Sequence, residues 1–227
     1  MKAISINGSN DAVSKVLENK TVTIPAPNLK IAKFHIVGTA PLVVHRFSHK
    51  VKRQMLAKME AGSTNNSKKP KRESVNLEDS YNEARYISKE GWDGFNASAI
   101  RNAMISACRL VGYKMTLAKM SIFCIQDGWD AKEPEIPLVC IQGRPRRLES
   151  RANVETGQAY ITIRPCYDEW EADITLRYDA DQFSLQDIAN LLQRVGVQVG
   201  LCEGRPDSKN SAGMGWGTFQ VLDKERR

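Results

Sequence analysis

Apolar and polar residues alternate along this chain in two periods, and the switches between them outline its elements. Lys30–Val37 sets Lys30, Ala32, Phe34 and Ile36 against Ile31, Lys33, His35 and Val37, which predicts a strand with an apolar face in its second half. Gly38 and Pro41 interrupt it. Leu42–Phe47 reads as a short strand or a turn. A helix over Ser48–Ala61 follows, with Ser48 as N-cap and Val51, Met55 and Met59 on one stripe. A short helix is expected near Leu77–Ile87. The strongest helical pattern covers Ala99–Val111, capped by Ser98: Ile100, Met104, Ala107 and Cys108 share a face that Ala103 and Leu110 widen, so it should pack on a sheet. Runs of β character come next, at Met120–Gln126, Ile136–Gln142, Ala159–Arg164 and Ala172–Tyr178. Ser184 caps a helix over Leu185–Val195, with Leu185, Ile188, Leu192 and Val195 at helical spacing, and Thr218–Leu222 closes the chain as a strand.

Reduced to essentials, the order is strand, helix, strands, helix, strand. This is the βαββαβ plan of an α+β, ferredoxin-like core of RRM type. Such a sheet leaves one face open, and related sheets present that face and its adjoining loops to single-stranded nucleic acid. The expected organisation is an N-terminal arm over 1–28, one domain over 29–223 and a basic tail over 224–227. The domain carries a basic insertion at about 42–97 and a second exposed basic loop, GRPRRLESRANVETGQ, at 143–158.

Composition adds little until charge is placed. Hydrophobic residues make up 41% and charged residues 26% of the 227, so most of the chain should bury a core. No run approaches the ~20 apolar residues that cross a bilayer, and MKAISINGSNDAVSKVLENK lacks a secretory h-region, so a cytoplasmic location is expected. Five scattered cysteines, an odd number without a CxxC pair, read as reduced core thiols. The net charge of +7 is unevenly spread. Pro41–Arg72 holds nine Lys/Arg against Glu60 alone, a local +8, while Pro165–Asp187 holds seven acids against Arg177, a local −6. Opposite poles suit a polyanion on one side and a neighbouring subunit on the other, with a solvated charged face as the plainer explanation of either run.

The most informative segment is VGLCEGRPDSKNSAGMGWGTFQV, 199–221. Its glycines at 200, 204, 213, 215 and 217 permit positive φ and close backbone approach, so amide N–H groups can meet phosphates while Arg205 and Lys209 supply charge. The GxxxxGK[ST] spacing of a nucleotide P-loop is absent, and the segment follows a helix and precedes a strand, the reverse of the P-loop order.

With "VGTAPLVVHRFS" after the first strand and the helix "FNASAIRNAMISACRLVG", this Gly-rich ending resembles the repeat-associated mysterious protein (RAMP) superfamily of CRISPR backbone and processing subunits, over about Leu29–Val221. The resemblance implies a ferredoxin-like core whose Gly-rich loop and positive insertions contact an RNA or DNA backbone, often with copies side by side in a homo-oligomer or filament. It matches Gly213, Gly215 and Gly217 to the loop glycines and Arg101 to a basic residue on the early helix face. Small stand-alone proteins of this kind occur in bacteriophages, which implies a phage origin and a bacterial host cytoplasm.

The candidate nucleic-acid ligands are therefore Arg46, Lys50, Arg53, Lys68, Lys69, Lys71 and Arg72 in the first insertion, and Arg144, Arg146, Arg147 and Arg151 in the second, which resembles a thumb loop. Phe47, Trp92, Phe95 and Trp216 are candidates to stack on bases. His45 and His49 lie four apart with no third ligand nearby, so no zinc site, other metal or cofactor is expected. His45 falls where processing endoribonucleases of the superfamily place a general base, which keeps metal-independent RNA cleavage open beside binding alone. A third possibility is a phage protein that mimics and blocks a subunit of a host defence complex.

Overall fold

The computed structural model describes residues 24–60, 62, 76–153, 159–208 and 214–222, without the side chains of residues 49, 50, 58, 152, 153, 159 and 160. The chain is a mixed α/β protein with antiparallel sheets and five α-helices among the described residues. Strand β1 (Leu29–Gly38) lies inside a four-stranded sheet in the order β11-β1-β10-β5, where β5 is Ile122–Ile125, β10 is Glu171–Asp179 and β11 is Phe219–Leu222. Phe34 pairs with Ile174 and Ile36 with Ala172, so the apolar halves of the two alternations coincide. Ala32, Phe34, Ile36, Ala172, Ile174, Leu176 and Tyr178 form one wall of the core.

Helices α3 (Ser98–Leu110) and α5 (Leu185–Arg194) supply the other wall: Ile100, Ala103, Met104, Ala107 and Cys108 from the first, Ile188, Leu191 and Leu192 from the second. Burying these stripes, at ~1.5–3 kcal/mol for each large side chain, is the main force that seats the helices. Ser184 caps α5 in a reciprocal box with Asp187, and those hydrogen bonds hold the Asp187 carboxyl below its ordinary range. Ser98 does not cap α3. It is the first helical residue, and Asn96 Oδ1 accepts its N–H at 2.9 Å. A π-helical turn, Val195–Val199, continues α5, and Gly196 lets it lie on β11, since a Cβ there would come within 2.1 Å of the Phe219 carbonyl.

Two smaller sheets complete the architecture. One joins β2 (Leu42–Val43), β9 (Ala159–Tyr167) and β8 (Arg146–Asn153) in the order β2-β9-β8. The other orders β3 (Tyr86–Ile87), β4 (Asp93–Asn96), β7 (Pro137–Cys140) and β6 (Gly128–Trp129) as β3-β4-β7-β6.

Several expectations change here. The stretch read as an exposed loop at 143–158 contains β8, paired residue for residue with β9. Its side chains are polar because cross-strand partners hold it in place of core burial: the Ser150 and Thr162 hydroxyls bond at 2.7 Å. The β run at Met120–Gln126 forms as β5, but its first two residues belong to α4 (Met115–Ser121). Helix α2 (Leu77–Ala84) stops before Tyr86 and Ile87, which enter a strand. Helix α1 (His49–Glu60) forms, but Val51, Met55 and Met59 are exposed, so its stripe packs on nothing described. All five cysteines are free; Cys108 and Cys166 are buried and the other three half-buried. No helix among the described residues is long and apolar enough to cross a membrane.

Candidate functional site

The sharp turn after α5 begins at Gly200, whose φ of 71° suits glycine, and folds the Gly-rich segment back on itself. Leu201 N–H bonds to the Gly217 carbonyl at 3.0 Å, Trp216 N–H to Gly204 at 3.2 Å and Asp207 N–H to Val199 at 3.2 Å. Two further bonds tie the segment to β2 and the turn before it: Glu203 N–H to Val43 at 3.0 Å and Gly217 N–H to Pro41 at 2.8 Å. These five amides, of which Gly217 is the one glycine, hold the loop together and are taken from any phosphate. Gly204 and Gly217 serve the same end. A Cβ on Gly204 would meet the Trp216 ring at 2.3 Å, and one on Gly217 would meet the Leu201 carbonyl at 2.0 Å. Gly215 has positive φ and open space around it; Gly213 and Lys209 lie outside the described residues.

Folded in this way, Val199–Ser208 forms one wall of a cleft of about 660 Å³. The facing wall is α3, with Ser98, Ala99, Asn102, Ala103 and Ser106; Val44, His45, Tyr86, Phe95 and Asn96 complete the lining. Asp207 clamps the loop to the helix through the Ser106 hydroxyl and through Arg109 at 2.8 Å. At the opposite end β2 delivers His45, whose Nδ1 lies 3.4 Å from Glu203 Oε2, and Arg164 of β9 donates to that same oxygen at 2.8 Å. Burial and the Arg164 charge lower the His45 pKa below its ordinary value, and Glu203 opposes them, so the imidazole is neutral at pH 7. Burial pushes the Cys202 thiol, beside Glu203, up to about 12. Cys202 is also the described non-glycine residue with positive φ, 61°, a strained backbone of the kind found at functional sites.

The candidate ligands read from sequence separate into groups. Arg46 is a correction. It is 1% exposed, with its guanidinium 3.2 Å from Asp130, itself 1% exposed, and 3.4 Å from Glu133, so it is enclosed in a buried ion cluster and cannot reach a strand. Arg101 is committed to carbonyls: Nε donates to Ile122 at 3.0 Å and Nη2 to Lys119, while the guanidinium lies over the Phe123 ring. In the β8–β9 hairpin, Arg146 makes a two-pronged pair with Asp168, and Arg147 pairs with Glu149 at 2.8 Å. Arg144 and Arg151 are exposed, as is Arg53 on α1. Arg205 lines the cleft and donates to the Cys202 carbonyl at 3.0 Å. The Lys50 side chain, Lys68, Lys69, Lys71 and Arg72 lie outside the described residues.

Among the aromatic candidates, Phe95 is buried, Trp216 is half-buried on Gly204, Trp92 packs on Gly94 and Gly128, and Phe47 is 50% exposed. Sequence reasoning missed Glu203, Arg164, Asn96 and Asn102. Glu203 sat in plain view within the Gly-rich segment, but an acid there did not fit a phosphate cradle. Arg164 is one cation inside a β run, with nothing local to mark its partner.

Neither a protein-family model nor any curated protein matches this chain.

Proposed function

We propose that this protein binds single-stranded RNA or DNA with little sequence preference. The strand would run along the exposed cations of the β8–β9 hairpin and of the first insertion and pass the mouth of the cleft. The observation that carries the reading is a convergence: the Gly-rich segment, His45 at the head of the first basic insertion and the base of the basic hairpin all meet at β2. The four-stranded sheet supports it too. Its order β11-β1-β10-β5, with α3 between β1 and β5 and α5 between β10 and β11, is the order we read as a ferredoxin-like core of RRM type. Side-by-side assembly of copies along a strand belongs to the same proposal.

The test is anisotropy of labelled single-stranded RNA and DNA homopolymers across a salt series. Binding should weaken steeply with salt. Replacing Lys68, Lys69, Lys71 and Arg72 together should flatten the slope of log affinity on log salt by about 0.7 for each phosphate no longer neutralised. An unchanged slope removes that run from the site.

A second reading has its own observation. His45, neutral and held at Nδ1 by Glu203, presents the chemistry of a general base at the cleft, as metal-independent cleavage of RNA would need. Under this reading His45 takes the proton from a ribose 2′-hydroxyl as that oxygen attacks the adjacent phosphate; the bond from phosphorus to the 5′-oxygen breaks, a 2′,3′-cyclic phosphate forms, and the 5′-oxygen leaves with a proton taken from water. Labelled RNA shortened by the native protein and left intact by His45→Ala establishes it; RNA intact with both leaves binding alone.

A further inference from the structure

The cleft volume of about 660 Å³ falls within the ≈ 300–1,000 Å³ typical of small-ligand sites, and its polar groups are not those of a phosphate pocket. Two carboxylates, Glu203 and Asp207, belong to the lining, and Arg205 brings a guanidinium to it. Both acids already hold cations: Arg164 on Glu203, Arg109 on Asp207. A phosphate drawn inside would lie beside two carboxylates and would have to compete for those cations, which is unfavourable in a half-enclosed site.

What the interior offers is neutral hydrogen-bonding capacity beside aromatic surface. The Asn96 carboxamide oxygen is taken by the Ser98 N–H at 2.9 Å, which leaves the two Nδ2 donors for the cleft. Asn102 is exposed on α3, and its carboxamide provides a donor and an acceptor together. Tyr86 contributes a half-buried ring, and burial pushes its phenol pKa up, so it too stays neutral. A neutral, planar group with a donor and acceptor edge fits this division.

We infer that the cleft takes one unstacked nucleobase, its edge read by Asn96 and Asn102, while the phosphates of the strand stay outside on the basic hairpin. Carboxamides pair with base edges in just this donor and acceptor sense. For everything outside the cleft, the inference rests on the nucleic-acid reading above.

The experiment uses the full chain and two labelled oligonucleotides of equal length, one with normal bases and one made wholly of abasic residues. It adds a titration of free nucleosides, which carry no phosphate, followed by ligand-observed NMR. The normal oligonucleotide should bind about 10-fold more tightly than the abasic one, the scale of one or two stacked bases. Asn102→Leu, an exposed change that leaves the core alone, should weaken the normal oligonucleotide about 5-fold and the abasic one not at all. Equal affinity for the two, or the same weakening of both in Asn102→Leu, overturns the inference while the nucleic-acid reading stands. If neither oligonucleotide binds, the nucleic-acid reading fails by itself. The nucleosides then decide the cleft: saturable nucleoside binding that Asn102→Leu abolishes keeps the assignment, and no nucleoside binding sinks it.

Discussion

His45 and Arg46 are neighbours in the chain, yet they enter opposite kinds of site. His45 reaches an open cleft, where it shares Glu203 with Arg164 and remains 46% exposed. Arg46 reaches a closed cluster of Asp130, Glu133 and, at 4.0 Å, Glu83, where Asp130 also accepts the backbone N–H groups of Lys132 and Glu133. Lys52 then covers the cluster by bonding Glu133 at 2.6 Å. Both sites pair a cation with carboxylates brought from distant segments. In the closed one the Arg46 guanidinium and the Asp130 and Glu133 carboxylates are enclosed, and their contribution is to hold the first insertion against the turn at 130–133. In the open one burial first, and then the opposing Arg164 and Glu203 charges, set the state of a half-exposed imidazole. Positive charge near a binding surface therefore says little until its partners are known.

The sharpest way to break this contrast is Arg46→Met. It leaves Asp130 as a buried acid without its cation and Glu133 with Lys52 in place of two cations, and should cost about 3–5 kcal/mol, read by urea unfolding. Adding Asp130→Asn to that variant should recover part of the loss. Gly217→Ala comes next. It forces a side chain into φ 68° and against the Leu201 carbonyl, so it should cost clearly more than Gly215→Ala, where only the positive φ, worth about 1–2 kcal/mol, is at stake. Equal losses from the two would mean that the Gly-rich segment is not packed on itself.

The open site is tested by titration. Arg164→Gln removes a charge that lowers the His45 pKa and should raise it, while Glu203→Gln removes the opposing charge and should lower it further; NMR titration of the ring reads both. The lowered folded pKa also fixes a pH dependence. The unfolded chain takes up the His45 proton first, so stability should fall as pH drops below about 6.5, until the folded value is passed. His45→Gln should remove that part of the slope. The smallest effect is expected for Arg151→Ala: stability unchanged within about 0.5 kcal/mol, and a salt slope shallower by about 0.7 if Arg151 meets a phosphate.

The central sheet and its two helices were legible because their residues obey period and burial together. Phe34, Ile36, Ile174 and Leu176 alternate, Ile100, Met104, Ala107 and Cys108 recur at helical spacing, and all of them enter the core. The hairpin was not legible, because Arg146–Asn153 carries no apolar alternation, and its strand depends on partners that lie 12 to 20 residues further on for most of its length. Helix α4 was missed for a related reason: Met115–Ser121 is short and runs straight into a strand. The site was half visible. His45 and the glycines at 200, 204 and 217 stood out by type. That the glycines pack the loop on itself follows from contacts across 12 and 16 residues inside the segment, and that Glu203 and Arg164 converge on His45 follows from pairings across 39 and 158 residues; no local pattern reveals either.

One consequence follows from the hairpin register. Facing residues on β8 and β9 share a side, so Arg146 and Arg164 stand in one column and Arg147, Arg151 and Ile161 in the other. The first column is spoken for by Asp168 and Glu203, whereas the far end of the second, at Arg151 and the 70% exposed Ile161, is open to solvent. The two columns can change independently over evolutionary time: replacing the open positions would alter the face the arm shows to solvent, without disturbing the acids that keep its root in place.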